Sequence, residues 1–275
     1  NHAFSVISTG GFSTKNLSIA SFDSNLINVV TIIFMFLSSV HFGLIYMVFA
    51  TRSLKPLNNP VLKFYVLAIL IASLLVAFSL KVAGSGFTWG DSLMTGIFQV
   101  VSFISTTGFA VSDNSTWPLF ACFITVLISI PCGMAGSTTG GVKSDRMFLI
   151  FKTIGQQIKN SIHPSSINQV HVGNHIMGSN EIYPHFVYFG LYFITIAASI
   201  VLTVLSGMDI QNAFASSVSF LSNVGPALEA QGTLGNYNAV PVFAKVVFII
   251  DMFMGRVEIY PILAVVMMIF TGKKK

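Results

Sequence analysis

Charge is what this sequence has least of. Only 8% of its 275 residues are Asp, Glu, Lys or Arg, against 53% hydrophobic, and mean hydropathy is +0.79. A soluble domain carries about 25% charged residues, and so few charges cannot cover a water-exposed surface. A soluble fold is therefore excluded, and the chain reads as an integral membrane protein. Cysteine is nearly absent too. Cys122 and Cys132 lie in or beside an apolar stretch, which gives neither a disulfide framework nor a CxxC metal site. No HExxH motif is present. Acidic residues are scarcer than basic ones, leaving a formal charge of +5. In a membrane chain this excess belongs to cytoplasmic loops rather than to a nucleic-acid surface. The chain begins at Asn1, without Met and inside a motif, and is expected to be a fragment of a longer protein.

What is present is apolar length. A spanning helix needs roughly 20 apolar residues. The stretches Leu26 to Ala50, Val61 to Ala83 and Phe186 to Leu205 qualify, as does Val242 to Phe270 despite Asp251, Arg256 and Glu258. Trp117 to Pro131 is apolar but runs into a glycine-rich break, and Met147 to Ile154 resumes after it. Two segments, Ser92 to Ile104 and Ile210 to Leu221, are too short to span, at roughly 20 Å each. Each starts with an aspartate, Asp91 or Asp209, which suits a helix N-terminus. Arg52, Lys55, Lys63, Lys152, Lys159 and Lys273 to Lys275 mark the cytoplasmic side. Asp91, Asp113, Asp209 and Glu229 then fall outside, so the short helices enter from outside and return there.

The chain repeats itself. "SVISTGGF" (Ser5 to Phe12), "SFISTTGF" (Ser102 to Phe109) and "SFLSNVGP" (Ser219 to Pro226) share Ser, any residue, an aliphatic, Ser, two variable residues and Gly. Irregular backbone at membrane depth survives only inside protein or along a water-filled path. Glycine permits unusual dihedrals that let successive carbonyls face one way. Rings of carbonyls replace a cation's hydration shell, and the negative end of a short helix favours a cation. Ser8, Thr9, Gly10 and Gly11, with Ser105, Thr106, Thr107 and Gly108 and with Ser222, Asn223, Val224 and Gly225, are the candidate filter. Asp113 and Glu229 would concentrate cations at an outer mouth.

Two further features stand out. "PCGMAGSTTGGVKSDR", Pro131 to Arg146, interrupts an inner helix. Gly136 and Gly141 have the spacing of a phosphate-binding loop, but Val142 stands where its lysine is required and no strand is expected before it. A hinge remains. Arg256 sits in an apolar span at a cost of roughly 2.5–3.5 kcal/mol, which marks a functional candidate, with Glu258 and Asp251 as candidate partners. His171 and His175 have i, i+4 spacing, which on a helix could bind zinc and would suit an intramembrane metalloprotease. Gly173 and Gly178 argue against a helix there. His41 and His185 read as packing or interfacial residues.

"STGGFST", "STTGFAVSD" and "SNVGP" resemble the pore loops of the Trk/Ktr/HKT superfamily of potassium uptake proteins. "DMFMGRVEIYPIL" and "AGSTTGGVKSDR" are most similar to the bacterial TrkH branch. The resemblance covers essentially the whole chain. It implies an all-α membrane protein with repeated units of outer helix, re-entrant pore helix, filter loop and inner helix around a pseudo-fourfold pore. Residues 1–55 would then end the second unit, residues 56–160 form the third, and residues 161–275 hold a cytoplasmic loop and the fourth. The first pore loop would be missing. The resemblance implies uptake of potassium, with no organic cofactor, through a channel-like pore in the bacterial inner membrane. It implies a gate at Gly136, Ser137, Thr138, Thr139, Gly140, Gly141 and Lys143, near Arg256. It further implies a homodimer embedded in membrane lipid, with a TrkA-like ring of nucleotide-binding regulatory subunits on the cytoplasmic face. The alternative is an ion-coupled secondary transporter with broken helices. It is disfavoured because the copies share one direction.

Overall fold

A computed structural model describes residues 1–83, 86–163, 170–173, 175–228 and 231–271. Its helices fall into the expected repeating order. The first unit shows α1 (His2–Ile7), a loop, then α2 (Asn25–Ser39) and α3 (Phe42–Thr51). The second is α4 (Pro60–Val82), α5 (Trp89–Ile104), a loop, α6 (Leu119–Ile128) and α7 (Ser144–Ile162). The third is α8 (Ser179–Leu205), α9 (Ile210–Leu221), a loop, α10 (Val242–Val257) and α11 (Ile259–Thr271).

Among the described residues, α4 and α8 are each long and apolar enough to cross a membrane. α4 starts where Asn59 accepts from the Val61 and Leu62 amides and Pro60 occupies the first turn. The two expected spans Leu26 to Ala50 and Val242 to Phe270 are not single helices. α2 and α3 meet at 97°, and α10 and α11 at 113°; each bent pair passes the same length and apolarity test only together. Extended Val40 followed by the His41 cap makes the first break: His41 Nδ1 accepts from the Gly43 amide at 2.8 Å. Glu258, held at φ 71°, makes the second. Counting the loop between α6 and α7, every inner helix is interrupted.

The short helices follow expectation, with one shift. α9 begins after Asp209, whose carboxylate accepts from the Gln211 amide at 3.0 Å. α5 begins earlier than expected: Thr88 is the cap, accepting from the Asp91 amide, and Asp91 lies in the first turn. At 16 residues α5 is about 24 Å long, still short of a bilayer core. It packs closely on α4, where a Cβ at Gly96 would meet Ser73 O at 3.0 Å and Ala77 N at 3.2 Å. Small residues allow such approach where lipid removes the hydrophobic drive between helices.

One core joins α2, α4 and α5 around Met35, Tyr65, Val76 and Phe98; another joins α8, α9 and α7 around Tyr188, Tyr192, Val218 and Met147. Outer loops lock the units together. Asn114 Nδ2 donates to Ala227 O at 2.9 Å, and its Oδ1 accepts from the Thr233 amide at 2.9 Å. The Ala20 amide donates to Ala110 O at 3.1 Å.

The expected polar segment before α8 contains a short antiparallel pair, Val170–Val172 with His175–Met177. His171 and His175 are therefore on facing strands, not one helical face. Their side chains lie outside the described residues. Among the described residues no three His, Cys, Asp or Glu side chains converge.

Candidate functional site: three like loops against a glycine-rich segment

Three loops follow the short helices, and they share one backbone pattern. Ser8, Ser105 and Ser222 end their helices in right-handed conformation. The next residues, Thr9, Thr106 and Asn223, are all left-handed, at φ 54°, 54° and 61°. The glycines two positions on, Gly11, Gly108 and Gly225, have φ 67°, 76° and 99°. Two backbone bonds recur in each copy. Gly10, Thr107 and Val224 amides donate to Ser5 O, Ser102 O and Ser219 O at 2.8, 3.0 and 2.9 Å. Thr9, Thr106 and Asn223 amides donate to Val6 O, Phe103 O and Phe220 O at 3.2, 3.0 and 3.0 Å. This is the Schellman pattern that closes a helix C-terminus. The carbonyls of the loops are thereby left free of helix bonds, at the negative end of each dipole.

A serine straps each loop. Ser102 Oγ donates to Phe109 O at 2.7 Å, and Ser219 Oγ donates likewise to Pro226 O. In the first copy the Phe12 amide donates to Ser5 Oγ at 2.7 Å. Sequence reasoning saw this serine repeat but gave it no role. It missed Tyr237 as well, whose hydroxyl donates to Gly225 O at 2.9 Å.

The loops meet in chain order. A Cβ at Gly11 would run into Thr107 O, and one at Gly108 into Val224 O. The third carbonyls of the second and third loops thus stand against the glycine of the loop before, as a rotational repeat requires. Between the third loop and the first is a cavity of about 460 Å³, bordered by Ser8, Gly10, Asn223, Gly225, Met252 and Arg256. A Cβ at Gly225 would meet open space among the described residues.

Against the inner side of the loops lies the glycine-rich segment. A two-residue parallel bridge, Pro131–Cys132 with Val142–Lys143, cinches its base, a feature the sequence did not lead us to expect. From there the segment reaches all three units. The Phe42 amide donates to Gly136 O at 3.2 Å. The Thr138 amide and hydroxyl reach Ser38 O at 3.3 and 3.1 Å. Thr138 O accepts from Thr9 Oγ1 at 2.9 Å and from Arg256 Nη1. The Gly140 amide donates to Thr106 Oγ1 at 3.1 Å, and the Gly141 amide to Gly255 O at 3.2 Å. Lys143 Nζ turns back onto Thr139 O, and Ser137 Oγ lies 2.8 Å from Thr139 Oγ1. Gly255 is required here, since a Cβ would strike Leu221 O.

Arg256 does not pair with Glu258 or Asp251. Its guanidinium donates to Thr138 O of the glycine-rich segment, while Glu258 bonds Arg146 at 2.7 Å and Arg146 lies over the Tyr188 ring at 3.9 Å. Helix periodicity alone could not show that the break at Glu258 turns its side chain toward α7. Asp251 points between α8 and α9, accepting from Ser199 Oγ at 2.5 Å, and Ser217 Oγ lies 2.9 Å from Ser199 Oγ. Asp113, expected at the outer mouth, accepts from the Ser115 amide at 2.9 Å. Glu229 lies outside the described residues.

Comparison with known proteins places the chain in a family. The TrkH family model, described as a cation transport protein, matches residues 1–273. The chain is 32% identical over 266 residues to the Trk system potassium uptake protein TrkH of Salmonella typhimurium, covering 95% of this chain and 54% of that protein. It is 31% identical over 265 residues to the Trk system potassium uptake protein TrkG of Escherichia coli strain K12, again covering 95% and 54%. The crystal structure of the potassium transporter TrkH from Vibrio parahaemolyticus superposes with a TM-score of 0.88 at 29% identity, covering 95% of this chain and 56% of that one. The chain spans about half the length of the relatives it matches. It is a multi-pass membrane protein, and it belongs to the TrkH family of cation transport proteins.

Proposed function

We propose that the full-length protein takes up potassium across the bacterial cytoplasmic membrane through a channel-like pore. The observation that carries this reading is the threefold repetition of one loop geometry, with third-position carbonyls Thr107 O and Val224 O brought against Gly11 and Gly108. Carbonyls from Ser8 to Gly11, Ser105 to Gly108 and Ser222 to Gly225 replace water around the ion. Potassium is cargo here, and the chemistry asks for no organic cofactor. Asp113 and Glu229 raise the cation concentration at the outer mouth. The cavity between Gly225 and Ser8 is the place for a fourth loop, supplied by the part of the relatives' length that this chain does not match. Residues 1–55, 56–160 and 161–275 are then the second, third and fourth units.

The segment from Gly136 to Gly141 is the gate. It lies across the inner side of the loops, fixed by small, separable hydrogen bonds rather than by a packed apolar core, which suits an element with two arrangements. Arg256 both holds Thr138 O and adds a positive charge beneath the filter, and Lys143 adds a second. The relatives' names speak of a Trk system. That supports companion components of the same system; in our reading these are a cytoplasmic nucleotide-binding regulatory subunit, acting on the gate through α7 or the loop before α8, and a second copy of this protein in a membrane homodimer. The experiment is rubidium uptake by the full-length protein lacking Gly136 to Gly141. A higher uptake rate at equal protein level is expected. An unchanged or lower rate in a folded variant would overturn the gate.

A further inference from the structure

The left-handed residue in each loop presents a puzzle. The residue just past a helix end in this pattern is usually glycine, because no side chain is then strained. Here the three positions hold Thr9, Thr106 and Asn223, at φ 54°, 54° and 61°. A β-branched residue at positive φ is a genuine outlier, and such strain persists where surrounding contacts over-determine it. Each side chain has such contacts, and they lead to the plug or to the inner helix beside it. Thr9 Oγ1 lies 2.9 Å from Thr138 O, Thr106 Oγ1 accepts from the Gly140 amide at 3.1 Å, and Asn223 Nδ2 donates to Met252 O at 3.1 Å. Gly140 also sits on Asn223 so closely that an added Cβ would be 2.7 Å from Asn223 Cβ. Thr106 and Gly140 are buried, so no water replaces their bond.

We infer that Thr9 and Thr106 are positioning residues that latch the glycine-rich plug to the filter, so that plug docking and filter geometry form one equilibrium. The inference rests on the reading of that segment as the gate. When the plug leaves, Thr106 loses the only partner that its hydroxyl has outside its own loop among the described residues, and Thr9 loses Thr138. What then holds their left-handed conformation is only each loop's own bonds, the backbone pair and, for Thr9, its hydroxyl on Ser8 O at 2.7 Å, so the carbonyls on either side, Ser105 O and Thr106 O or Ser8 O and Thr9 O, turn more easily. Coupling of this kind is reciprocal. Opening alters discrimination among cations in the filter, and cation occupancy biases opening. Glycine at these positions would make the filter easier to form but would not sense the plug.

The test uses the full-length protein and reads two quantities: rubidium uptake rate, and its inhibition by competing sodium. Thr106→Val removes the hydroxyl and keeps the β-branch; it leaves the Gly140 amide unpaired and should raise uptake between about 5- and 150-fold, with a changed sodium sensitivity. Thr9→Val should act in the same direction. Thr106→Ser restores the acceptor and should return both quantities toward the parent. In a variant already lacking Gly136 to Gly141, Thr106→Val should add nothing to the uptake rate. A deletion that raises uptake beside Thr106→Val and Thr9→Val variants that behave as the parent would overturn the latch and leave the gate standing. So would a Thr106→Val effect of equal size with and without the plug. A deletion that does not raise uptake would overturn the gate, and the latch with it.

Discussion

Adding one methyl group at Gly140 should open the pore. Gly140 is buried in the plug, and an added Cβ would lie 2.7 Å from Asn223 Cβ and 3.1 Å from Ser222 O. Ordinary contact begins at 3.4 Å, so the plug must retreat from Asn223 by about 0.7 Å, a separation rigid packing cannot absorb. The Gly140 amide now stands 3.1 Å from Thr106 Oγ1. A retreat of that size carries it toward about 3.8 Å, beyond hydrogen-bond range. Losing a buried bond and leaving its donor unpaired costs about 1–3 kcal/mol, which is roughly 5- to 150-fold in the docked-to-undocked ratio. Backbone strain does not enter, because Gly140 has ordinary φ. The assay is the initial rate of rubidium uptake by full-length Gly140→Ala, normalised to folded protein by size-exclusion profile. A several-fold rise is expected. A monodisperse variant with the parental rate would show that contact between plug and filter does not limit flux.

Other outcomes follow from the same geometry. Ser102→Ala removes the strap on Phe109 O and leaves it only the longer bond from Gln99 Nε2 at 3.5 Å; losing a buried hydrogen bond costs about 0.5–1.5 kcal/mol, so the variant should melt earlier in detergent and lose rubidium-over-sodium preference, while Ser102→Thr keeps both. Gly108→Ala combines φ 76° with a collision on Val224 O, and the left-handed strain alone is about 1–2 kcal/mol; preference for rubidium should fall in competition assays. Gly225→Ala meets open space in this chain, yet should be as damaging as Gly108→Ala in the full-length protein, where a fourth loop fills that side. Exchanging the partners of the Arg146–Glu258 pair should recover, in a thermal melt, stability that either single reversal loses.

The architecture was legible because its signals are local. Apolar length, short apolar helices, and a serine–glycine pattern repeated three times each depend on neighbours in sequence. The left-handed glycines Gly11, Gly108 and Gly225 follow from that pattern directly. What could not be read is what depends on breaks. The run from Leu26 to Ala50 carries only Gly43 near its turning point, too weak a signal to place a bend; the break at Val40 and His41 is completed by Gly136 O, which takes the Phe42 amide from far along the chain. Likewise Glu258 pairs with Arg146, 112 positions away in sequence, once the helix turns at Glu258 itself. Serines 5, 102 and 219 were visible as repeats, but a bond to the residue seven positions on appears only when the loop is closed.

The central claim is that the repeated carbonyls line a cation path. Crystals of the full-length protein grown in rubidium, with anomalous diffraction recorded at the rubidium edge, address it most directly. An anomalous peak among the loops, coordinated by Thr107 O and Val224 O, is the expected result. Well-ordered loops with no anomalous density between them, and rubidium found only elsewhere, would contradict the account.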